Sequence, residues 1–171
     1  MIRYYAYILK KKLTPEKARL FFNGSFLSYK KRIAVLKKAG VMLERGTTVI
    51  SPFYFEHGKV ELHENVLINS GCTFLDNEKI TIMKNSMIGP NVIILTVSHY
   101  VNPKHRHEGN ITAPITIGEN VWLGAGCVIC PGVNIGNNCV IAANSVVTSD
   151  VPGNTLYAGS PAILKKELNS L

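Results

Sequence analysis

What this sequence lacks narrows it before what it contains. No run of apolar residues reaches the roughly 18 that a membrane-spanning helix needs. Cysteine is sparse: Cys72, Cys127, Cys130 and Cys139 in 171 residues are too few for a disulfide scaffold. The start, Met1 to Lys12, has an apolar run too short for a signal h-region, and its lysines follow that run rather than precede it. These absences give the expectation of a mature protein in a reducing cytoplasm. A content of 46% hydrophobic and 18% charged residues excludes a disordered chain. Acidic residues are nearly missing from the first 45 positions, where Glu16 and Glu44 stand against 12 Lys and Arg, a net +10. Residues 46–171 carry seven Lys and Arg against nine acids, a net −2. The overall +8 therefore belongs to an N-terminal segment, and a nucleic-acid partner for the bulk of the chain is not expected.

That basic segment, residues 1–45, reads as helical. Thr14 suits an N-cap, with Pro15 at the first helical position and Glu16 in the first turn. Ser28 suits a second cap, before a helix from Tyr29 to Ala39 that Gly40 ends. Its buried stripe would be Ile33, Val35 and Leu36, leaving Lys30, Lys31, Lys37 and Lys38 outward.

Beyond residue 46 amphipathic helix signals stop and a period of six takes over. Ile117, Leu123, Ile129, Ile135, Ile141 and Val147 fall on every sixth position. Each is followed four residues later by a small or β-branched residue: Val121, Cys127, Val133, Cys139, Ser145 and Val151. The same spacing joins Leu62, Ile68 and Phe74, and again Ile82, Ile88 and Ile94, with a two-residue slip between the sets around residues 76–79. From Ile94 to Ile117 is 23 residues, so one unit carries about 17 extra, a loop at about 98–114. A six-residue period matches neither the 3.6 of a helix nor the long alternation of a meander. It fits a solenoid in which each unit is one short strand and one turn, three units closing a triangular coil.

This pattern, with the motifs around it, resembles the hexapeptide-repeat acyltransferases, in the branch of galactoside, maltose and nodulation O-acetyltransferases. The matching stretches are Ile68-Asn69, Ser98-His99-Tyr100, Pro114 through Gly124, Pro131-Gly132-Val133, Ile141 through Thr148 and Ala158-Gly159-Ser160-Pro161-Ala162. The resemblance covers residues 46–166 and leaves 167–171 as a tail. It implies an all-β left-handed parallel β-helix behind a short helical segment, although general crossover rules favour the other hand. It also implies a homotrimer with active sites between subunits, acetyl-CoA as co-substrate, no metal, and a sugar or polysaccharide-precursor hydroxyl as acceptor.

The residue roles follow from the same resemblance. His99 matches the catalytic base, and a neutral imidazole can take a hydroxyl proton. Asn69 matches a position beside the acceptor, where an amide can hold a hydroxyl or the tetrahedral intermediate. Asp76, just before the slip, would orient the acceptor through hydroxyl hydrogen bonds or else serve as a turn residue; Asn77 stands where relatives often carry a second acid. Trp122 would lie against the pantetheine, whose amides and thioester oxygen would meet the backbone of Ala125 and Ala143. Thr148 and Lys166 match positions near the adenine and its 3′-phosphate. Ile163 replaces a frequent Arg, which shifts phosphate binding toward Lys165 and Lys166.

Several tempting motifs read as structure. Cys127-Val128-Ile129-Cys130 is no redox pair, because Ile129 points to the axis and the two thiols occupy different positions of successive units. His105 and His107 form a His-x-His in a polar loop, and His57 and His63 lack partners at a metal-ligand spacing. Competing readings are a metal-dependent carbonic anhydrase of the γ type and a non-catalytic β-helix scaffold. The basic segment, with Tyr4, Tyr5, Tyr7, Ile8 and Leu9, is either a set of solvated helix faces or a peripheral contact with anionic lipid at the inner face of the membrane.

Overall fold

The structure, a computed structural model, describes residues 11–24 and 27–168. Most of the apolar and basic run at 1–12, on which the lipid-contact reading rests, lies outside the described residues.

Helix α1 (Pro15–Gly24) starts as its sequence dictates. The Thr14 hydroxyl accepts the Lys17 N–H at 3.4 Å, and proline at the first position has no N–H to leave unpaired. Helix α2 (Tyr29–Lys38) has Ser28 in the cap position, but the serine hydroxyl makes no capping bond. Val35 and Leu36 are its buried residues, and Gly40 ends it with φ +104°.

The strands then wind in triangular coils. The first coil is β1 (Met42–Leu43), β2 (Thr48–Val49) and β3 (Phe53–Phe55), and the second β4 (Val60–Leu62), β5 (Leu67–Ile68) and β6 (Cys72–Leu75). The third is β7 (Ile80–Ile82), β8 (Met87–Ile88) and β9 (Ile93–Leu95). A hairpin of β10 (Val97–His99) and β11 (Asn110–Thr112) then leaves the solenoid. The fourth coil is β12 (Ile115–Ile117), β13 (Trp122–Leu123) and β14 (Val128–Ile129), and the fifth β15 (Asn134–Ile135), β16 (Val140–Ile141) and β17 (Val146–Val147). A sixth begins with Val151 bridged to Ile135 and β18 (Thr155–Gly159), against which β19 (Ala162–Glu167) folds back antiparallel. The coils stack into three parallel faces: β1-β4-β7-β12-β15, β2-β5-β8-β13-β16-β18 and β3-β6-β9-β14-β17. Among the described residues no helix is long and apolar enough to cross a membrane.

The period of six is the axis of this solenoid. Every aliphatic or aromatic residue of the three sets, from Leu62 to Val147, is at most 2% exposed. The slip is equally visible. Leu62 pairs with Ile82, 20 positions on, whereas Ile117 pairs with Ile135, 18 positions on. Except at the slip and at the hairpin, where Glu78 and Ser98 stand, the residues four after each axial position sit buried at the corners. Where these buried residues carry a donor, they spend it on a turn carbonyl of the coil. Ser86 Oγ donates to Gly118 O at 2.8 Å, Cys127 Sγ to Ala142 O at 3.1 Å and Ser145 Oγ to Ala142 O at 2.6 Å.

The turns need left-handed backbone, and asparagine and glycine supply it. Asn65, Asn85, Asn120, Asn138 and Asn154 all have positive φ at the corner between the first and second faces. Their amides form ladder steps, Asn120 Nδ2 to Asn138 Oδ1 at 3.0 Å and Asn138 Nδ2 to Asn154 Oδ1 at 2.8 Å. At the next corner glycine is required for closeness instead. A Cβ on Gly124 would stand 2.5 Å from the Ala143 nitrogen, so Gly124→Ala is expected to lower stability by about 1–3 kcal/mol. A shift of the denaturant midpoint at constant slope measures it.

The helices close the first coil. Phe22 of α1 meets Phe53 edge-on at 6.4 Å, and Phe53 meets Phe74 the same way at 5.0 Å. Asn23 covers the open strand edge as another strand would: its amide donates to Phe53 O at 3.0 Å, and its Oδ1 accepts Phe53 N–H at 2.9 Å. Arg19 donates to Phe55 O at 2.5 Å and lies 4.6 Å above the Tyr54 ring.

Candidate active site

Solenoid geometry sorts the candidate residues by corner and face. Asn69 follows β5 at the edge between the second and third faces and is half-buried. Its Oδ1 accepts the Ser70 N–H at 2.8 Å, which holds the turn and leaves the amide NH₂ directed elsewhere. The same edge carries Gly124-Ala125-Gly126 and Ala142-Ala143-Asn144 in lower coils. Ala125 and Ala143 are exposed, and among the described residues neither of their N–H groups donates a hydrogen bond. Two main-chain N–H groups without a partner among the described residues thus lie in a wall of methyl groups and glycines, where a close-lying acceptor would find a donor.

Trp122 stands outward on the second face and is 52% exposed. Parallel register places Met87 above it and Val140 below, with Leu67 above Met87 and Leu156 below Val140. The second face therefore presents a continuous apolar stripe beside Asn69. Leu67 and Met87 were missed from sequence, although each sits one residue before an axial position, as Trp122 does. Lys166 pairs with Leu156 across β18 and β19, and Lys165 is the extra residue of the bulge there; both are exposed.

His99 lies elsewhere. It ends β10, pairs with Asn110, and is exposed, with no side-chain partner among the described residues. Its hairpin is rooted at the edge between the third and first faces, one whole face away from the edge that holds Asn69. Thr148 follows β17 at that same far edge and is exposed. One chain thus groups Asn69, Trp122, Ala125, Ala143, Lys165 and Lys166 on one side, and His99 with Thr148 on another.

The acceptor reading of Asp76 is corrected in favour of the turn reading. It is 0% exposed, and its carboxylate accepts the N–H groups of Glu56, of His57 at 3.0 Å and of Lys59 at 2.6 Å. A carboxylate buried and occupied in this way fixes a turn of the neighbouring coil and cannot orient an acceptor. Next to it, Asn77 Oδ1 is buried and finds no partner among the described residues.

Three of the four cysteines, Cys72, Cys127 and Cys139, are buried in the coils. Burial pushes the Cys72 thiol up to about 11, and it raises Cys127 and Cys130 in the same direction. Cys72 donates to Gly89 O at 3.2 Å and Cys139 to Pro152 O at 2.9 Å, so these thiols serve as small corner donors. His105 is tied to Glu108 at 2.9 Å and His63 to Glu44 at 3.1 Å. Among the described residues no three His, Cys, Asp or Glu side chains converge on a metal-sized space.

Comparison with known proteins decides the family. Residues 114–149 match the bacterial transferase hexapeptide (six repeats) model. The galactoside O-acetyltransferase of Escherichia coli is 37% identical over 163 residues, covering 94% of this chain and 80% of that protein. The chain belongs to the hexapeptide-repeat acyltransferases. Within that family, a hexapeptide-repeat acetyltransferase from Vibrio cholerae solved with acetyl coenzyme A superposes with a TM-score of 0.87 at 34% identity, covering 91% of this chain and 86% of that one. A galactoside acetyltransferase solved with coenzyme A gives 0.85 at 37% identity, covering 95% and 82%.

Proposed function

We propose that this acyltransferase moves an acetyl group from acetyl-CoA directly to a hydroxyl of a sugar or glycan precursor. The observation that carries the reading is the wall at Ala125 and Ala143, where unpaired N–H groups stand beside the exposed Trp122 stripe. Relatives solved with acetyl-CoA and coenzyme A, and the galactoside O-acetyltransferases among the relatives, support the donor and the acceptor class.

The residues divide the work. Trp122 packs along the pantetheine, and the Ala143 N–H holds one of its amides. Lys165 and Lys166, with Thr148, take the nucleotide end and its 3′-phosphate. The acceptor hydroxyl attacks the thioester carbonyl carbon while His99 takes its proton. The oxygen that becomes negative is met by the Ala125 N–H, a type of contact worth ~3–4 kcal/mol where it has been removed in other enzymes. The Asn69 amide holds the acceptor or that same oxygen. Collapse breaks the C–S bond, and the imidazolium returns the proton to the leaving thiolate. No cysteine is acylated.

The proposal includes a homotrimer. His99 and Asn69 are rooted at opposite edges of one face, so a single chain does not bring them together. A cyclic arrangement sets the His99 edge of one subunit against the Asn69 edge of the next and closes after three. The outward columns agree with it. On the third face they read Thr73, Ile93, Val128 and Val146 in register, and on the second Leu67, Met87, Trp122 and Val140. On the first face they read Glu61, Thr81, Thr116 and Asn134, a polar set suited to water. The direct test is thiol release from acetyl-CoA across a panel of sugars, with serine and water as controls. Sugar-dependent release supports the reading, and release that no hydroxyl acceptor stimulates contradicts it.

A further inference from the structure

We infer that Thr96 is a positioning residue for His99, acting through the corner created by the two-residue slip. The inference rests on His99 being the base and names what holds it in place.

The hairpin that carries His99 leaves the solenoid at the corner between the third and first faces, beside the slip. Thr96, three residues before His99, is 0% exposed at its root. Its hydroxyl donates to Leu75 O at 2.7 Å and accepts the Glu78 N–H at 2.9 Å. Its own N–H also reaches Leu75 O, at 3.0 Å, and its carbonyl accepts the Ala113 N–H from the returning strand at 3.0 Å. The side chain thus clamps both ends of the slip, residues 75 and 78, to the root of β10, and the backbone carbonyl of the same residue ties that root to the returning strand. Asp76 fixes the same slip from behind through the N–H groups of Glu56, His57 and Lys59. A second tie, Thr112 Oγ1 to Glu78 Oε1 at 3.4 Å, joins the return strand to the slip at the surface.

The slip is what makes the clamp. Without its extra residues the corner would close as tightly as the corners at Pro131-Gly132 and would offer no N–H and carbonyl pair to the threonine. A buried, doubly bonded hydroxyl at the pivot of a short ribbon fixes the direction in which His99 projects. A ribbon that swings by even 1 Å at its end costs up to about a hundredfold in rate.

Three variants test this. Thr96→Val keeps the shape and removes the hydroxyl; kcat should fall by about tenfold to a hundredfold, with the KM for acetyl-CoA within about twofold. Thr96→Ser keeps the hydroxyl and should return kcat to within about threefold of wild type. In a His99→Ala background Thr96→Val should cost less than about twofold more, since the two act as one unit. Folded Thr96→Val with wild-type kcat, or a full further loss in the His99→Ala background, would overturn the inference. High turnover in His99→Ala alone would overturn the base assignment as well, so the two failures are distinguishable. Should Thr96→Val not fold, the exposed Thr112→Val cuts the second tie. A lowered kcat at unchanged acetyl-CoA KM then supports the inference, and an unchanged kcat overturns it.

Discussion

His99→Ala is expected to lower kcat by ~10²–10⁴ while the KM for acetyl-CoA stays near wild type. The size follows from the chemistry. A sugar hydroxyl is a poor nucleophile at neutral pH until its proton has somewhere to go, and positioned general bases in enzymes typically supply this range. The split between kcat and KM follows from the geometry. His99 ends β10 on a hairpin off the third-to-first edge, whereas the exposed alanine N–H groups and Trp122 lie on and beside the second face. In a site shared between subunits the pantetheine rests on Trp122 and the alanine N–H groups rather than on the imidazole, so donor binding should survive its removal. Residual turnover above water should persist, because holding hydroxyl and thioester together is worth ~7–11 kcal/mol and needs no base. Steady-state kinetics with varied acetyl-CoA checks both halves, and turnover near wild type would remove His99 from the mechanism.

Two charges placed on the outer third face should abolish turnover without touching any reacting group. Ile93 and Val128 are outward neighbours in register on β9 and β14, each half-buried in the single chain, with Thr73 above and Val146 below. In a trimer this column meets another subunit. The double variant Ile93→Glu, Val128→Glu would bury two carboxylates with no partner, a penalty of several kcal/mol per ion. The expected result is a folded monomer by light scattering, since the axial residues are unchanged, with activity down at least about a hundredfold. A variant that stays trimeric and active would show that the third face is not the contact.

Much of the solenoid was legible because its period is strict. The six-residue spacing named the axial residues from Leu62 to Val147, and the excess between Ile94 and Ile117 located the hairpin. Other features were hidden for physical reasons. From sequence Asp76, beside the break in the repeat, reads equally as an acceptor ligand and as a turn residue. The structure turns it inward, onto three N–H groups of a coil 17 to 20 residues earlier, a pairing that no local pattern announces. The aromatic plug of Phe22, Phe53 and Phe74 lies where the helices close the first coil, beyond the reach of the repeat. Thr96 carries no signal in sequence, since its partners depend on how the slip folds. The candidate site was legible in its residue types and not in its arrangement. Motif matching gathers His99 and Asn69 into one list, whereas triangular winding sends them to different edges.

That separation makes the central claim testable in one measurement. His99→Ala and Asn69→Ala subunits, each nearly inactive alone, are mixed after denaturation, refolded together and assayed for acetyl transfer. If each site takes His99 from one subunit and Asn69 from its neighbour in a cyclic trimer, one junction in every mixed trimer regains both residues. Random assembly of equal parts then restores about a quarter of wild-type activity. Activity no higher than that of the separate variants would show that both residues act within one chain, and the account of a site shared between subunits would be wrong.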